Sequence, residues 1–435
     1  MAAFGLPFRL YRRQEIVLSG GNMKSMLIFG ASLMTSLAVA QSAATTYSVQ
    51  DLGLAGGAPG APYFMTGNGL IAGAAGTANN QSHAAVWFMG FQLDLATSGL
   101  GGLNSFADSV NDKGQVVGAA ETTVPNSEDF CGFNANGFAK SSTACLPFVF
   151  QNGVMKQLPT PGGPNGIANW INNRSEAVGW AETINKDPNP ACGVLQFQPL
   201  LWGTTSTTWL QTFPGDPDGI ATSINDNGQV VGATGTCTPF NANLGVYLAP
   251  KHAMLWEGGA AINLGNLGGD GLGGGNHACA INNKGQVVGH SDLTGDTTFH
   301  TFLWTWETGM KDLGTLPGDF ASTAVGINDP GVIVGTSLDS NFNPRAFVWA
   351  DGKMTDLNAM LTSNPGKIYL LLASSVNARG EIVGLGVTSD GNLHGFLATP
   401  NSAANVLPLE RTASPTPLSE DARKTVFRRI GIRGK

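Results

Sequence analysis

The sequence predicts an all-β protein: a single seven-bladed β-propeller of four-stranded blades, closed by the N-terminal strand as the outermost strand of the last blade. Three observations predict it. A hairpin word, "SVNDKGQVVGAA" at 109–120, returns as "SINDNGQVVGATG" at 223–235 and "INNKGQVVGHS" at 281–291. Two further strand-like words lie between successive hairpins, giving four short strands per roughly 45–60 residues, the period of a propeller blade. The last repeat lacks its fourth word, and the start of the body supplies it. Composition agrees. Of 435 residues 60 are Gly, and charged residues make up 12%, against usual shares of ~7% and ~25%. A hydrophobic content of 42% is ample for a core.

Residues 1–40 read as a leader and signal peptide. Lys24 is the positive start, Leu27 to Leu37 the apolar stretch, and Ala38 to Ala40 a small-residue cleavage site. The apolar run is shorter than the ~18 residues of a spanning helix. No membrane span is therefore expected after cleavage, and the location expected is secreted, extracellular or periplasmic. Residues 1–22, with Arg9, Arg12 and Arg13, precede a better start at Met23.

The propeller is expected over 41–400. Strand A is the "AxxIN" word, ending at Asn111, Asn172, Asn225, Asn282, Asn328 and Asn377, with Thr66 in a degenerate copy at 63–73. Its small residues, Ala107, Ala168, Ala221, Ala278, Ala324 and Ser374, suit a place next to the central axis. The turn carries Gly69, Gly114, Gly228, Gly285, Gly331 or Gly380, with Ser175 departing. Asn or Asp can hydrogen-bond the local backbone, and Gly takes the positive φ of a bulged three-residue loop. Strand B follows as "QVVG", "EAVG", "VIVG" or "EIVG". Strand C is "HAAVW" (83–87), "PFVF" (147–150), "PLLW" (199–202), "HAMLW" (252–256), "HTFLW" (300–304), "RAFVW" (345–349) and "HGFLA" (394–398). Strand D reads "VMKQL", "AINLG", "MKDLG" or "KMTDL", and "YSVQDLG" (47–53) supplies it for the last blade. Closure in this way hides open sheet edges.

The words "HAAVW", "HAMLW", "HTFLW" and "HGFLA", with "DLGTLPGD" (312–319) and "INDxG", resemble the extracellular HAF-repeat family over about 47–400. The resemblance implies an exported repeat protein and transfers no activity or catalytic residue.

This frame also places the candidate site residues. His83, His252, His300 and His394 share one strand-C position on separate blades, so they diverge and are expected to be structural, since metal ligands must converge. Trp87, Trp202, Trp256, Trp304 and Trp349 are expected to pack between blades. The pairs Asn111–Asp112, Asn225–Asp226 and Asn328–Asp329 fall on tight turns and read as turn caps rather than as the six to eight oxygens of a calcium site. Asp216, Asp270 and Asp319 end the related words "FPGD", "LGGD" and "LPGD" between strand D and the next strand A. They are the ligand-binding candidates, acidic groups at the channel mouth. No GxSxG, HExxH, P-loop or Cys-x-x-Cys occurs. No catalytic residue, metal or cofactor is expected.

Loop lengths single out one face. Strand B to strand C takes about 9–10 residues in blades 1, 5, 6 and 7, but about 27 in blade 2 (119–145), 18 in blade 3 (180–197) and 19 in blade 4 (233–251). Long loops on a rigid scaffold carry binding. Cys131, Cys145, Cys192 and Cys237 lie in or beside them, and in an oxidising compartment they are disulfide candidates. Three pairings are open, with Cys131–Cys145 and Cys192–Cys237 favoured. Cys279, on a strand A, is expected to be a buried free thiol. The segment 401–435 reads as a Pro-containing linker and a basic tail, partly helical or disordered. A solvated tail is the first reading, and docking on an anionic surface or on the acidic body the second.

Charge narrows the partners. The chain carries a net −7, and the body from 41 to 409 is near −14 on model charges. Nucleic acid is therefore not expected as a partner. The function expected is that of a secreted, non-catalytic monomer binding a protein or glycan through the long loops of blades 2–4. The alternative is a glycan-active hydrolase or lyase using carboxylates at the channel mouth.

Overall fold

A computed structural model describes residues 45–401 apart from 54–60, 97–98, 129, 134–138, 140–141, 191, 193–194 and 242–244, together with Leu418, Arg423 and 425–427. The leader and the linker 402–417 lie outside the described residues. Seven antiparallel sheets follow one another along the chain. Blade 1 is β2 (Ala61–Met65), β3 (Ile71–Gly76), β4 (Ser82–Phe88) and β5 (Phe91–Asp94). Blade 2 is β6 (Gly101–Val110), β7 (Val116–Pro125), β8 (Thr143–Gln151) and β9 (Val154–Gln157). Blade 3 is β10 (Gly166–Ile171), β11 (Ala177–Lys186), β12 (Leu195–Trp202) and β13 (Thr207–Trp209). Blade 4 is β14 (Asp218–Ile224), β15 (Val230–Asn241), β16 (Gly245–Glu257) and β17 (Ala260–Asn263). Blade 5 is β18 (His277–Ile281), β19 (Val287–Asp292), β20 (Phe299–Thr305) and β21 (Gly309–Gly314). Blade 6 is β22 (Ala321–Ile327), β23 (Ile333–Leu338), β24 (Pro344–Ala350) and β25 (Lys353–Asp356). Blade 7 is β27 (Tyr369–Val376), β28 (Ile382–Val387), β29 (Leu393–Pro400) and, as its fourth strand, β1 (Tyr47–Gly53).

The recurring words follow from one backbone device. In every blade strand A bulges at the same place: Tyr63, Asp108, Asn169, Thr222, Cys279, Val325 and Ser374 are the extra residues. The residue before the bulge pairs with the Gly that ends the "VVG" word, as Ala107 does with Gly118 and Ala221 with Gly232. A bulge brings the partner backbone close. A Cβ on Gly118 would stand 2.0 Å from the Phe106 carbonyl oxygen, and one on Gly232 2.0 Å from that of Ile220. Only Gly fits. On its other side this Gly faces the middle residue of strand C, Phe148, Phe302, Phe347 or Phe396 in four blades, each fully buried. The alignment also places Ala373, not Ser374, at the small position of blade 7; Ser374 is the bulge residue.

The turn asparagines tie blade to blade. Within its own turn Asn225 Oδ1 accepts from the amides of Asn227 and Gln229. Its Nδ2 donates to the Asn282 carbonyl of the next blade at 2.9 Å. The same clasp joins Asn111 to Asn172, Asn172 to Asn225, Asn282 to Asn328 and Asn328 to Asn377. Asn377 then reaches the Thr66 carbonyl at 3.3 Å, across the ends of the repeat array. Turn capping was legible in the sequence; the step across the blade junction was not.

Closure is as the missing word requires, with one addition. β1 pairs antiparallel with β29, Val49 opposite Ala398 and Asp51 opposite Phe396. A short strand β26 (Leu361–Ser363), in the connector from blade 6 to blade 7, adds outside it in parallel. The N-terminal strand is therefore covered on both edges and has one more neighbour than the sequence indicated.

Two expectations change. The long B–C segments of blades 2–4 are not mainly loops, because strands B and C continue past the rim. β15 and β16 stay paired from Val230↔Trp256 as far as Asn241↔Gly245, and β11 and β12 out to Lys186↔Leu195. The tail, for its part, docks on the body. Arg423 and 425–427 are helical, and Val426 and Phe427 are buried among Leu371, Leu385 and Leu393, with Phe427 edge-on to Phe342 at 6.1 Å. Its apolar residues outweigh the basic ones that suggested a solvated segment.

Candidate binding face

Strand alternation puts the B–C and D–A connections on one face, and that face is uneven. Over blades 2–4 it carries the three projecting hairpins, and over blades 6 and 7 the docked tail. The hairpin roots rest on a continuous aromatic layer. Phe106 meets Phe133, Phe130 meets Trp180 at 4.7 Å, and Trp180 meets Phe197 at 4.9 Å. Trp180 stands on strand B where blades 1, 2 and 4 have Ala74, Ala119 and Ala233. Its bulk makes the platform that Phe130 of blade 2 covers.

Disulfides fasten the layer. Cys131 is bonded to Cys145 within blade 2, and Cys192 of blade 3 to Cys237 of blade 4, with Cα separations of 6.1 and 6.3 Å. The second bond packs on Phe197. Loop closure of this kind restricts the unfolded chain, and the second bond also ties the hairpin of blade 3 to that of blade 4.

Buried carboxyl groups brace the same roots. Asn165 Nδ2 donates to Glu182 at 2.9 Å and to Glu128 at 2.9 Å. Glu182 is fully buried. Burial, with the Glu128 charge adding to it, pushes its carboxyl up to about 8. Asp218 accepts from the amides of Phe197 and Cys237 and also meets Asp187. Burial first, then the hydrogen bond to Asp187, pushes it up to about 8 as well. Each acid pair shares a proton at neutral pH. The unfolded chain releases these protons near pH 4, whereas the folded chain keeps them to about pH 8. Their contribution is thus complete below pH 4 and is lost as pH rises through 8. Thermal melts are expected to show stability falling steadily between pH 5 and pH 8.5, and Glu182→Gln with Asp218→Asn should flatten that slope. An unchanged slope in the double variant contradicts the shared-proton reading.

The outward surface of the hairpins is partly apolar. Ile184 on β11 is 80% exposed and Val124 on β7 55%, and Leu103 on β6 is also exposed. A second exposed group, Phe88, Met89, Phe91 and Leu93, surrounds the C–D turn of blade 1 on the opposite face. Neither group was read from the sequence, where single apolar residues in strands look like core.

The three connector carboxylates stand apart. Asp216 is buried and accepts from Thr234 Oγ1 at 2.7 Å, with His252 Nδ1 at 2.7 Å. Asp319 pairs with Arg345 at 2.5 Å. Asp270 is exposed, and its amide donates to Asp296. Each is engaged within its own blade, and no contact joins one to another. The strand-C histidines behave alike: His83 meets Asp94, His300 meets Asp312 and His394 meets Asp51, each the Asp of a strand D in the same blade. The His and "DLG" words therefore recur together as a cross-strand pair. The tryptophans of strand C pack in the clusters between blades.

No protein-family model and no curated protein matches the chain. Among solved structures, the β-propeller domain of the Trilobed protease from Pyrococcus furiosus is similar at 9% identity and a TM-score of 0.44, over 83% of this chain and 99% of that one. The acylaminoacyl peptidase of Pyrococcus horikoshii gives 12% and 0.44 over 83% of this chain, which spans about half (52%) of that enzyme. The six-bladed fucose-binding lectin of Aleuria aurantia gives 10% and 0.33, over 85% and 97%. No activity passes across at such distances. The blade count rests on the strand pairing itself.

Proposed function

We propose that this protein is a secreted, non-catalytic propeller, of the kind that its HAF-like words resemble, and that it binds an extracellular protein or glycan on the hairpins of blades 2–4. One observation carries the reading: three adjacent hairpins project from one face, fastened by two disulfides, with Val124 and Ile184 turned outward. A rigid, preordered surface loses little entropy when it binds. The disulfides fit an oxidising compartment. Among the described residues no helix is long and apolar enough to cross a membrane.

The rival reading, a glycan hydrolase or lyase, has less support, since Asp216 and Asp319 are already bound to His252 and Arg345. The test is a screen of the full chain on immobilised polysaccharides and extracellular proteins. Val124→Asp with Ile184→Asp should weaken any binding found by 10-fold or more, about 1.4 kcal/mol, while Phe91→Asp on the opposite face should leave it unchanged. The reverse pattern would move the binding face to blade 1. Turnover of a polysaccharide that Asp216→Asn abolishes would favour the rival.

A further inference from the structure

The inner ends of strands A and B face each other as one residue pair per blade. That pair is Ala61↔Ala74 in blade 1, Phe106↔Ala119 in blade 2, Ile167↔Trp180 in blade 3 and Ile220↔Ala233 in blade 4. It is Thr323↔Thr336 in blade 6 and Leu372↔Leu385 in blade 7. In blade 5 it is His277↔His290. The next bulge residue is Cys279, a free thiol. Blade 5 thus puts two imidazoles where its sisters put mostly hydrocarbon, and a thiol at the bulge where they hold Tyr, Asp, Asn, Thr, Val or Ser.

Their surroundings use them only in part: Cys279 Sγ donates to the His277 carbonyl at 3.9 Å and also meets Thr323. His277 is 8% exposed and His290 fully buried, with ring centroids 5.7 Å apart and nearly perpendicular. His290 Nδ1 lies 2.9 Å from Thr323 Oγ1, which fixes that ring. The Gly274 backbone is a further hydrogen-bond partner of the same ring, while Nε2 of His277 is buried with no hydrogen-bond partner. Leaving a buried polar atom unpaired is costly. One ligand atom from each of His277, Cys279 and His290 lies within 4.8 Å of the other two. A second such group, Asp187 with Cys192 and Cys237, is excluded because its sulfurs are joined to each other.

We propose that His277, Cys279 and His290 bind one thiophilic divalent cation of the zinc class in the inner wall of blade 5. The donor set is imidazole and thiolate with no carboxylate, which selects against calcium and magnesium. Tetrahedral bonds of about 2.0–2.3 Å place ligand atoms about 3.3–3.8 Å apart, so small side-chain rotations complete the site. Binding exchanges the thiol proton for the metal: the S–H bond breaks, the S–metal bond forms and the proton leaves to solvent. Cys279 is free but half-buried, not fully buried as its strand-A place suggested, which leaves the fourth position open to a water. Thr323 is the outer partner that orients His290.

The test uses the untagged full chain after chelator treatment. Co2+ is added as a spectroscopic probe, then Zn2+ as competitor, and bound metal is counted by mass spectrometry. The expected result is one equivalent of Co2+ with a thiolate-to-cobalt charge-transfer band that Zn2+ removes. Cys279→Ser and His290→Ala borrow residues that blades 7 and 2 carry at the same positions, so both should fold. Each should weaken binding by about 100-fold or more, beyond the cost of losing an outer partner, and Cys279→Ser should abolish the band. Absence of stoichiometric metal on the wild type overturns the proposal, as does unweakened binding in either variant. The wild-type band alone decides the matter should a variant fail to fold.

Discussion

Gly232→Ala is expected to destabilise the ring by about 3 kcal/mol or more, toward the upper end of the cost of overpacking. The added Cβ would sit 2.0 Å from the Ile220 carbonyl oxygen and about 3 Å from the Ala221 Cα, both backbone atoms that a rotamer change cannot move. Relief requires the bulge at Thr222 to open, and Thr222 Oγ1 donates to the Ala278 carbonyl of blade 5 at 2.6 Å. The damage therefore crosses a blade junction. Gly228→Ala provides the contrast. That turn Gly has φ +85° and its Cβ would meet only the tip of the Arg174 side chain, at 2.3 Å. The left-handed backbone then costs about 1–2 kcal/mol. Denaturant melts of the two variants should differ in that order; equal losses would mean that the strand-B glycines are not set by the bulge.

Removing residues 45–53 should have the larger effect and abolish the cooperative melt. β1 lies between β29 and β26, and Tyr47 and Val49 are buried in the blade 6–7 cluster. Losing their burial costs about 1.5–3 kcal/mol for each side chain. The His394–Asp51 contact at 2.9 Å and the bond from Thr362 Oγ1 to the Tyr47 carbonyl go with it. The deletion also exposes the edge of β29, a template for aggregation. Circular dichroism and gel filtration of the shortened chain check this. A monomer with the melting temperature of the full chain would show that the ring does not depend on β1.

Much of this was legible in the sequence because the device repeats. Seven copies of Ala–bulge–Gly backed by a bulky strand-C residue leave a readable rhythm, and the missing fourth word at the end points to residues 47–53. Of the three pairings left open for four cysteines, the structure has the favoured one, Cys131–Cys145 and Cys192–Cys237. What stayed hidden lies between the copies. The extension of β15 and β16 is hidden in the polar run "ATGTCTPFNANLG", which looks like loop, though its cross-strand pairing continues, with two register shifts, as far as Asn241. The tail takes the second of its two readings, docking on the body, because Val426 and Phe427 carry the contact rather than its basic residues. The His277–His290 pair was missed because the two residues sit in different words, and only strand register makes them neighbours. A signal was available: both depart from the residue types that the other blades hold at those positions. The acid pairs Glu128–Glu182 and Asp187–Asp218 join residues 54 and 31 apart in number, without a shared motif.

The claim that binding belongs to the hairpins is tested most directly by hydrogen exchange on the full chain, with and without a partner found in the screen. Hairpins held by two disulfides present amides whose exchange a bound partner slows. Added protection is expected at 120–128, 182–190 and 234–250, and none at the C–D turns 88–91, 151–154 and 305–309. Protection confined to those turns, or spread evenly over the ring, would contradict it.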